Sequence, residues 1–242
     1  VPFALGHRGA ILDAWLIDRR WSGALHAREG QPLRWLSNSS LPDLDWLVPD
    51  RPLASALRLS RYLAITPDVR EPGKVLAAAE TAVAKGAGLL MLRLPQMDRG
   101  QLQATATAVL SLCRPAGVQV LAHGDWTLVD WLGLDGVHLP SRQLCELRAR
   151  PVPAAKLLTA ACHDLRELIA AVRLGSDAVL VSPVAPTPSH PGVPTIGWPG
   201  FAALAARSPL PAYALGGVGP AQLDRVRESG GFGVAGIRAF AR

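Results

Sequence analysis

The feature that most constrains this chain is an alternation that begins at Tyr62 and continues to Ile237. Short apolar runs at Tyr62–Thr66, Leu89–Leu94, Val118–Ala122, Val137–Leu139, Lys156–Cys162, Ala178–Val184, Ala212–Leu215 and Gly233–Ile237 read as strands. Between them lie segments with helical character: Glu71–Ala87, Arg99–Cys113, Thr127–Leu132, Arg142–Ala149, Asp164–Leu174, Pro199–Ala206 and Pro220–Ser229. Strands that alternate with helices run parallel and connect by right-handed crossovers. Eight such units in about 180 residues predict a (β/α)8 barrel, with an open doubly wound sheet as the competing topology. No eighth helix is expected after Ile237.

The first sixty residues carry a different pattern. Ala10–Ile17 and Leu33–Leu36 read as strands, and four of the seven tryptophans (Trp15, Trp21, Trp35, Trp46) fall here. Such clustering indicates a small core or a packing surface. Pro49–Ser60, with a short helix over Leu53–Leu59, reads as the junction. The predicted organisation is therefore a β-rich segment over 1–60 and a barrel over 61–242.

Hydrophobic residues make up 49% of the chain and charged residues 18%, enough for a large core. No run approaches 18 uninterrupted apolar residues, which argues against a transmembrane helix. The formal charge of +6 is spread over scattered arginines without interleaved aromatics. That speaks against nucleic acid and for small anionic ligands. Cys113, Cys145 and Cys162 lack metal-type spacing; three sparse cysteines and no signal peptide fit the cytoplasm. Val1 in place of Met fits a start inside a longer protein or an alternative start codon. The sequence leaves a homo-oligomer open.

In a barrel of this kind ligands sit at the C-terminal strand ends. Leu215-Gly216-Gly217-Val218-Gly219 and Gly233-Val234-Ala235-Gly236-Ile237 place glycines after the seventh and eighth strands. There, backbone N–H groups can approach a phosphate. Arg93 ends the second strand as a fixed cation suited to phosphate, a candidate for both substrate binding and catalysis. His123 and His163 end the third and fifth strands on one rim, whereas His138 lies mid-strand and suits a structural hydrogen bond. Thr187, Ser189 and His190 lie in the long loop 185–195. His163 is the leading proton-transfer group, with His190 and His123 as competitors, because imidazole takes and gives a proton near neutrality.

Tyr62-Leu63-Ala64-Ile65-Thr66, Leu92-Arg93, Asp135-Gly136-Val137-His138-Leu139, Cys162-His163-Asp164, Pro183-Val184-Ala185-Pro186-Thr187-Pro188-Ser189-His190 and Gly216-Gly217-Val218, in this order, resemble the thiamine-phosphate synthase/TenI family over about Arg61 to Phe240. The resemblance implies a thiamine-biosynthesis protein of the barrel fold that binds a thiazole phosphate. A synthase of this family couples it to a pyrimidine pyrophosphate with Mg2+; a TenI-like tautomerase moves a proton on the thiazole without metal. A non-catalytic phosphate-binding module is the third reading.

The chain departs from the family pattern where the metal and diphosphate would be held. Pro95 stands where the family has a lysine. His123-Gly124 stands for Asn-Asp, with Asp125 one place late. Gln143 replaces a second aspartate, Ala161 a serine, and Thr187-Pro188-Ser189-His190 the family's Thr-x-Thr-Lys. Losing two carboxylates and two lysines removes the means to hold Mg2+ and neutralise pyrophosphate. No metal ligand set and no cofactor is therefore expected, Mg2+ entering only if synthase activity is retained. Upstream, Trp21-Ser22-Gly23, Arg28-Glu29-Gly30-Gln31-Pro32-Leu33-Arg34-Trp35 and Pro49-Asp50-Arg51-Pro52 resemble the C-terminal half of a Nudix hydrolase. The catalytic Nudix box is absent, so this resemblance implies a remnant or a truncation fused to the barrel, without hydrolase activity.

Overall fold

A computed structural model describes residues 2–5, 10–13, 22–24, 26–35, 41, 50–94, 97–187 and 192–241. The chain divides into two compact units, Val1–Arg58 and Leu59–Arg242.

In the first unit β1 (Pro2–Leu5) pairs antiparallel with β2 (Ala10–Asp13), Phe3 opposite Leu12, and α1 spans Arg51–Arg58. Leu33–Trp35, expected as a strand, is irregular, and Trp35 is 71% exposed. With no partner strand among the described residues to take its backbone groups, apolar composition alone does not make a strand there. Trp15, Trp21, Leu36 and Trp46 lie outside the described residues.

The second unit is a closed parallel barrel. Its strands are β3 (Tyr62–Ile65), β4 (Leu89–Leu92), β5 (Gln119–His123), β6 (Gly136–Leu139), β7 (Leu157–Cys162), β8 (Ala178–Val181), β9 (Ala212–Ala214) and β10 (Gly233–Gly236). Sequential strands neighbour one another, and β10 closes on β3 with Val234 opposite Tyr62 and Gly236 opposite Ala64. Side chains alternate along each strand. Ala64, Leu90, Val120, Val137, Leu158, Val179 and Val234 join the outer core beneath the helices. Leu63, Leu89, Leu121, Leu157, Leu180 and Tyr213 alternate with them and are fully buried. Burying a side chain of this size contributes roughly 1.5–3 kcal/mol.

The helices are α2 (Pro72–Ala84), α3 (Arg99–Cys113), α4 (Thr127–Leu132), α5 (Ser141–Glu146), α6 (Leu165–Arg173), α7 (Gly197–Ala205), α8 (Leu223–Glu228) and α9 (Arg238–Ala241). Their starts follow from local chemistry. Pro72 opens α2, and its buried Val75, Ala79 and Ala82 lie on one face. Asp98 and Gln101 close a capping box on α3, the Gln101 N–H donating to Asp98 Oδ1 at 2.9 Å. Asp164 caps α6 by accepting from the Glu167 N–H at 2.9 Å. Where no eighth helix was expected, α9 forms one short turn that buries Phe240. None of the helices among the described residues is long and apolar enough to cross a membrane.

At the N-terminal end of the barrel, aspartates anchor neighbouring strands. Asp135 Oδ2 accepts from the Val120 N–H at 2.7 Å. Asp177 Oδ2 accepts from the Leu158 N–H at 2.8 Å and from Arg150 Nη2 at 2.9 Å. Contacts of this kind at the N-terminal face serve stability, and ligands of such barrels sit at the opposite face.

Candidate active site at the C-terminal mouth

On one side of the mouth, β3, β4 and β5 bring Thr66, Arg93 and His123 to the rim. Thr66 is buried and its Oγ1 accepts from the Arg93 N–H at 2.8 Å, so the threonine fixes the turn after β4. The Arg93 guanidinium lies 3.7 Å from Asp68, both partly exposed. Asp68, three residues beyond Ile65, was not among the expected site residues. His123 stacks on His138, ring centroids 5.7 Å apart. Burial and then the positive charge of Arg93 push the His123 imidazole below its usual range. His138 sits inside the barrel with Nδ1 3.0 Å from Thr159 Oγ1. Burial first, and then His123 and His163, push it down to about 3. A structural hydrogen bond accounts for His138, as expected from its mid-strand place.

The corner where the family's carboxylates are expected is formed by β5 and α5. The Gly124 N–H donates to the His138 carbonyl at 2.8 Å, and a Cβ on Gly124 would lie 3.8 Å from the Gln143 amide. The two positions are thus neighbours, but neither carries a carboxylate. Gln143 Oε1 is buried without a hydrogen-bond partner among the described residues, and Asp125 Oδ1 accepts from Thr127 N–H at 2.9 Å and Thr127 Oγ1 at 2.6 Å. Among the described residues no group of three or more His, Cys, Asp or Glu could hold a metal ion. Gly124 and Gln143 thus offer no carboxylate oxygen to Mg2+, a hard cation that wants such ligands, and Asp125 is the carboxylate next in sequence.

On the other side, His163 follows β7. Its Nδ1–H donates to Glu167 Oε2 at 2.8 Å, and its backbone N–H reaches the same oxygen at 2.7 Å. Glu167 Oε1 accepts from the Ser141 hydroxyl. A carboxylate only accepts, so this bond assigns the proton to Nδ1 and leaves the Nε2 lone pair free in the neutral ring. Nε2 lies 3.4 Å from Ser182 Oγ, the first residue after β8. Glu167 and Ser182 were not anticipated. A signal for Glu167 existed, four residues after His163 at a helix start, where i,i+4 side chains meet.

Gly216 and Gly217 follow β9 with φ of 95° and 64°. A Cβ on Gly216 would lie 2.9 Å from Pro183 Cα, and one on Gly217 only 2.6 Å from the Pro186 carbonyl oxygen. The glycines therefore serve the loop after β8 as well as any ligand. That loop is tied on by the Val184 and Ala185 N–H groups, which donate to the Leu215 and Gly216 carbonyls at 2.9 Å each. Gly217 is exposed, and its N–H forms no hydrogen bond among the described residues. Gly236, at the end of β10, is close by: its Cβ position is 3.4 Å from the Val218 carbonyl oxygen. Thr187 is half-buried in the same loop. Ser189 and His190 lie outside the described residues.

The mouth thus carries His163, Ser182 and the Gly216-Gly217 turn along β7, β8 and β9, with Gly236 beside them and Arg93 and His123 on other strands. A model of the thiamine monophosphate synthase family (TMP-TENI) matches residues 62–240. The thiamine-phosphate synthase of Bordetella pertussis is 33% identical over 174 residues, 69% of this chain and 80% of that protein. That of Thermus thermophilus is 32% identical over 185 residues, covering 74% and 87%. Among solved structures, a thiamine phosphate pyrophosphorylase from Pyrococcus furiosus superposes with a TM-score of 0.62 at 18% identity, covering 76% of this chain and 88% of that one, a likeness of fold. The Nudix resemblance of the first sixty residues gains no support from these matches, and the family model begins only at Tyr62. With a match across the whole barrel, the chain belongs to the thiamine monophosphate synthase (TMP-TENI) family.

Proposed function

We propose that the barrel binds a thiazole phosphate and transfers a proton on its ring, with His163 as the proton-transfer group and no requirement for Mg2+. The observation that carries this reading is the His163 imidazole held at Nδ1 by Glu167 at 2.8 Å, with Nε2 directed to the next strand end. Such a hold presents one basic nitrogen at constant orientation, which proton transfer requires. The phosphate goes to the backbone of Gly216, Gly217 and Gly236, with Arg93 and Thr187 as further donors. Ser189 and His190 are assigned to the ligand by their place in the family's loop. Thiazole phosphate is a small solute, so neither nucleic acid nor membrane is needed, and a cytoplasmic location goes with the reading.

Titration of labelled protein with thiazole phosphate is expected to shift the amide resonances of Gly216, Gly217 and Gly236. His163→Asn keeps polarity but does not transfer protons near neutrality. Tautomerase turnover should fall by ~10²–10⁴-fold, the usual contribution of general acid–base catalysis, with binding nearly level. Wild-type turnover in that variant would move the role elsewhere, to His190 or His123.

A second reading is favoured by the family match itself: coupling of the thiazole phosphate to a pyrimidine pyrophosphate. Product formation that EDTA abolishes and Mg2+ restores would establish it over the first.

A further inference from the structure

Ser182 takes no part in the proposed proton transfer, yet it stands in a built arrangement. Its N–H donates to the Cys162 carbonyl at 3.1 Å, which pins the start of the loop beside the end of β7. From there Oγ lies 3.4 Å from His163 Nε2. His163 Nδ1 lies 2.8 Å from Glu167 Oε2, and Ser141 donates to the other carboxylate oxygen. A hydroxyl, an imidazole and a carboxylate are therefore linked in sequence. The carboxylate end is enclosed, Glu167 being 14% exposed, while the His163 side chain is 46% exposed. Capping of α6 explains why Glu167 accepts the His163 N–H. It does not require the ring to face Ser182 or Ser141 to brace the far oxygen. Nucleophile, base and orienting group in hydrogen-bond reach are the mark of an activated hydroxyl, and the first distance is commonly long before substrate binds.

We infer that Ser182, His163 and Glu167 form a nucleophilic relay that acts on small carboxylic esters, an activity separate from chemistry on the thiazole. Ser182 Oγ bonds to the ester carbonyl carbon as its proton passes to His163 Nε2. The bond to the alkoxide then breaks, and the alkoxide takes that proton and leaves as the alcohol. Water, giving its proton to Nε2, attacks the acyl-serine. The carboxylic acid departs and the proton returns to Ser182 Oγ. The relay takes as its donor to the carbonyl oxygen, as that oxygen gains charge, the exposed Gly217 N–H, on the turn whose Gly216 packs against Pro183, the residue after Ser182.

The test uses the full chain, a fluorophosphonate probe and p-nitrophenyl acetate. One probe adduct is expected on the peptide that contains Ser182. It should be absent in Ser182→Ala and form ~10²-fold or more slowly in His163→Asn, the scale of losing a general base. Glu167→Gln, checked by thermal unfolding for an intact fold, should slow labelling by ~10²-fold or more, since an amide in place of the orienting carboxylate no longer holds the tautomer. p-Nitrophenol release should follow the same ranking. No adduct on Ser182 under excess probe, or labelling at equal rates with and without His163, overturns the inference. The thiazole phosphate titration is read independently: shifted glycine amides with no adduct sink only the relay, and an adduct with unshifted amides sinks only the thiazole site.

Discussion

At the scale of single residues, histidines of one barrel mouth have been given different tasks by their surroundings. His163 is half-exposed and gripped by a carboxylate. His138 is 5% exposed, hydrogen-bonded to Thr159, and held neutral by burial with its pKa pushed down to about 3. The sign of the linkage follows. Between about 6.5, the ordinary value, and about 3, the unfolded chain binds a proton that the folded chain refuses. Stability from this residue is present above 6.5 and is lost as pH falls towards 3, by up to ~1.4 kcal/mol per pH unit. On lowering the pH from 7 to 5, wild type should lose about 2 kcal/mol more unfolding free energy than His138→Gln, whose side chain does not titrate. Denaturant titrations at the two pH values check this; parallel losses would assign the acid sensitivity to other groups.

At the scale of elements, the turn after β9 and the loop after β8 form one piece. Gly217 meets two demands: a left-handed backbone with φ of 64°, and carbonyl oxygens of Pro186 and Ala185 at 2.6 and 2.8 Å from where a Cβ would sit. Gly230 has φ of 78° but open space around its Cβ position. The pair separates conformation from packing. Gly230→Ala should cost only the left-handed penalty of ~1–2 kcal/mol. Gly217→Ala should cost more, and should weaken thiazole phosphate binding by displacing the loop that carries Thr187. Equal unfolding free energies for the two variants would show that the loop does not bear on the turn. A substitution at Gly217 therefore reports on packing as well as on anion contact.

At the scale of the whole molecule, the barrel separates stability from chemistry by face. Arg150 and Asp177 lie 2.9 Å apart at the N-terminal end, largely buried, and Arg150 also donates to the carbonyls of Gly175, Val152 and Lys156. Removing one partner leaves the other charged and without its counter-ion. Asp177→Ala should lower unfolding free energy by about 3 kcal/mol, the low end for breaking a buried pair, while thiazole phosphate affinity at the opposite face stays level. Calorimetry and ligand titration on the same sample measure both; a matching drop in affinity would tie the two faces together.

The order of the barrel's elements was legible in the sequence because each run carries its own local evidence. Arg99–Cys113 and Thr127–Leu132 fall where their apolar spacing and flanking residues put them. Leu33–Trp35 is irregular, with no partner strand among the described residues, because strand formation needs a partner, and a partner is not a local property. The same distinction divides the site. His163, Arg93 and the glycines could be placed at the mouth from the chain, since strand ends of a barrel converge there. What they touch could not. The bond from His163 to Ser182 spans 19 residues, and Ser141 reaches Glu167 across 26. The closeness of Gly217 to Pro186 likewise exists only once β8 and β9 lie side by side. Local periodicity determines which residues reach the mouth; the register of neighbouring strands decides which of them act together.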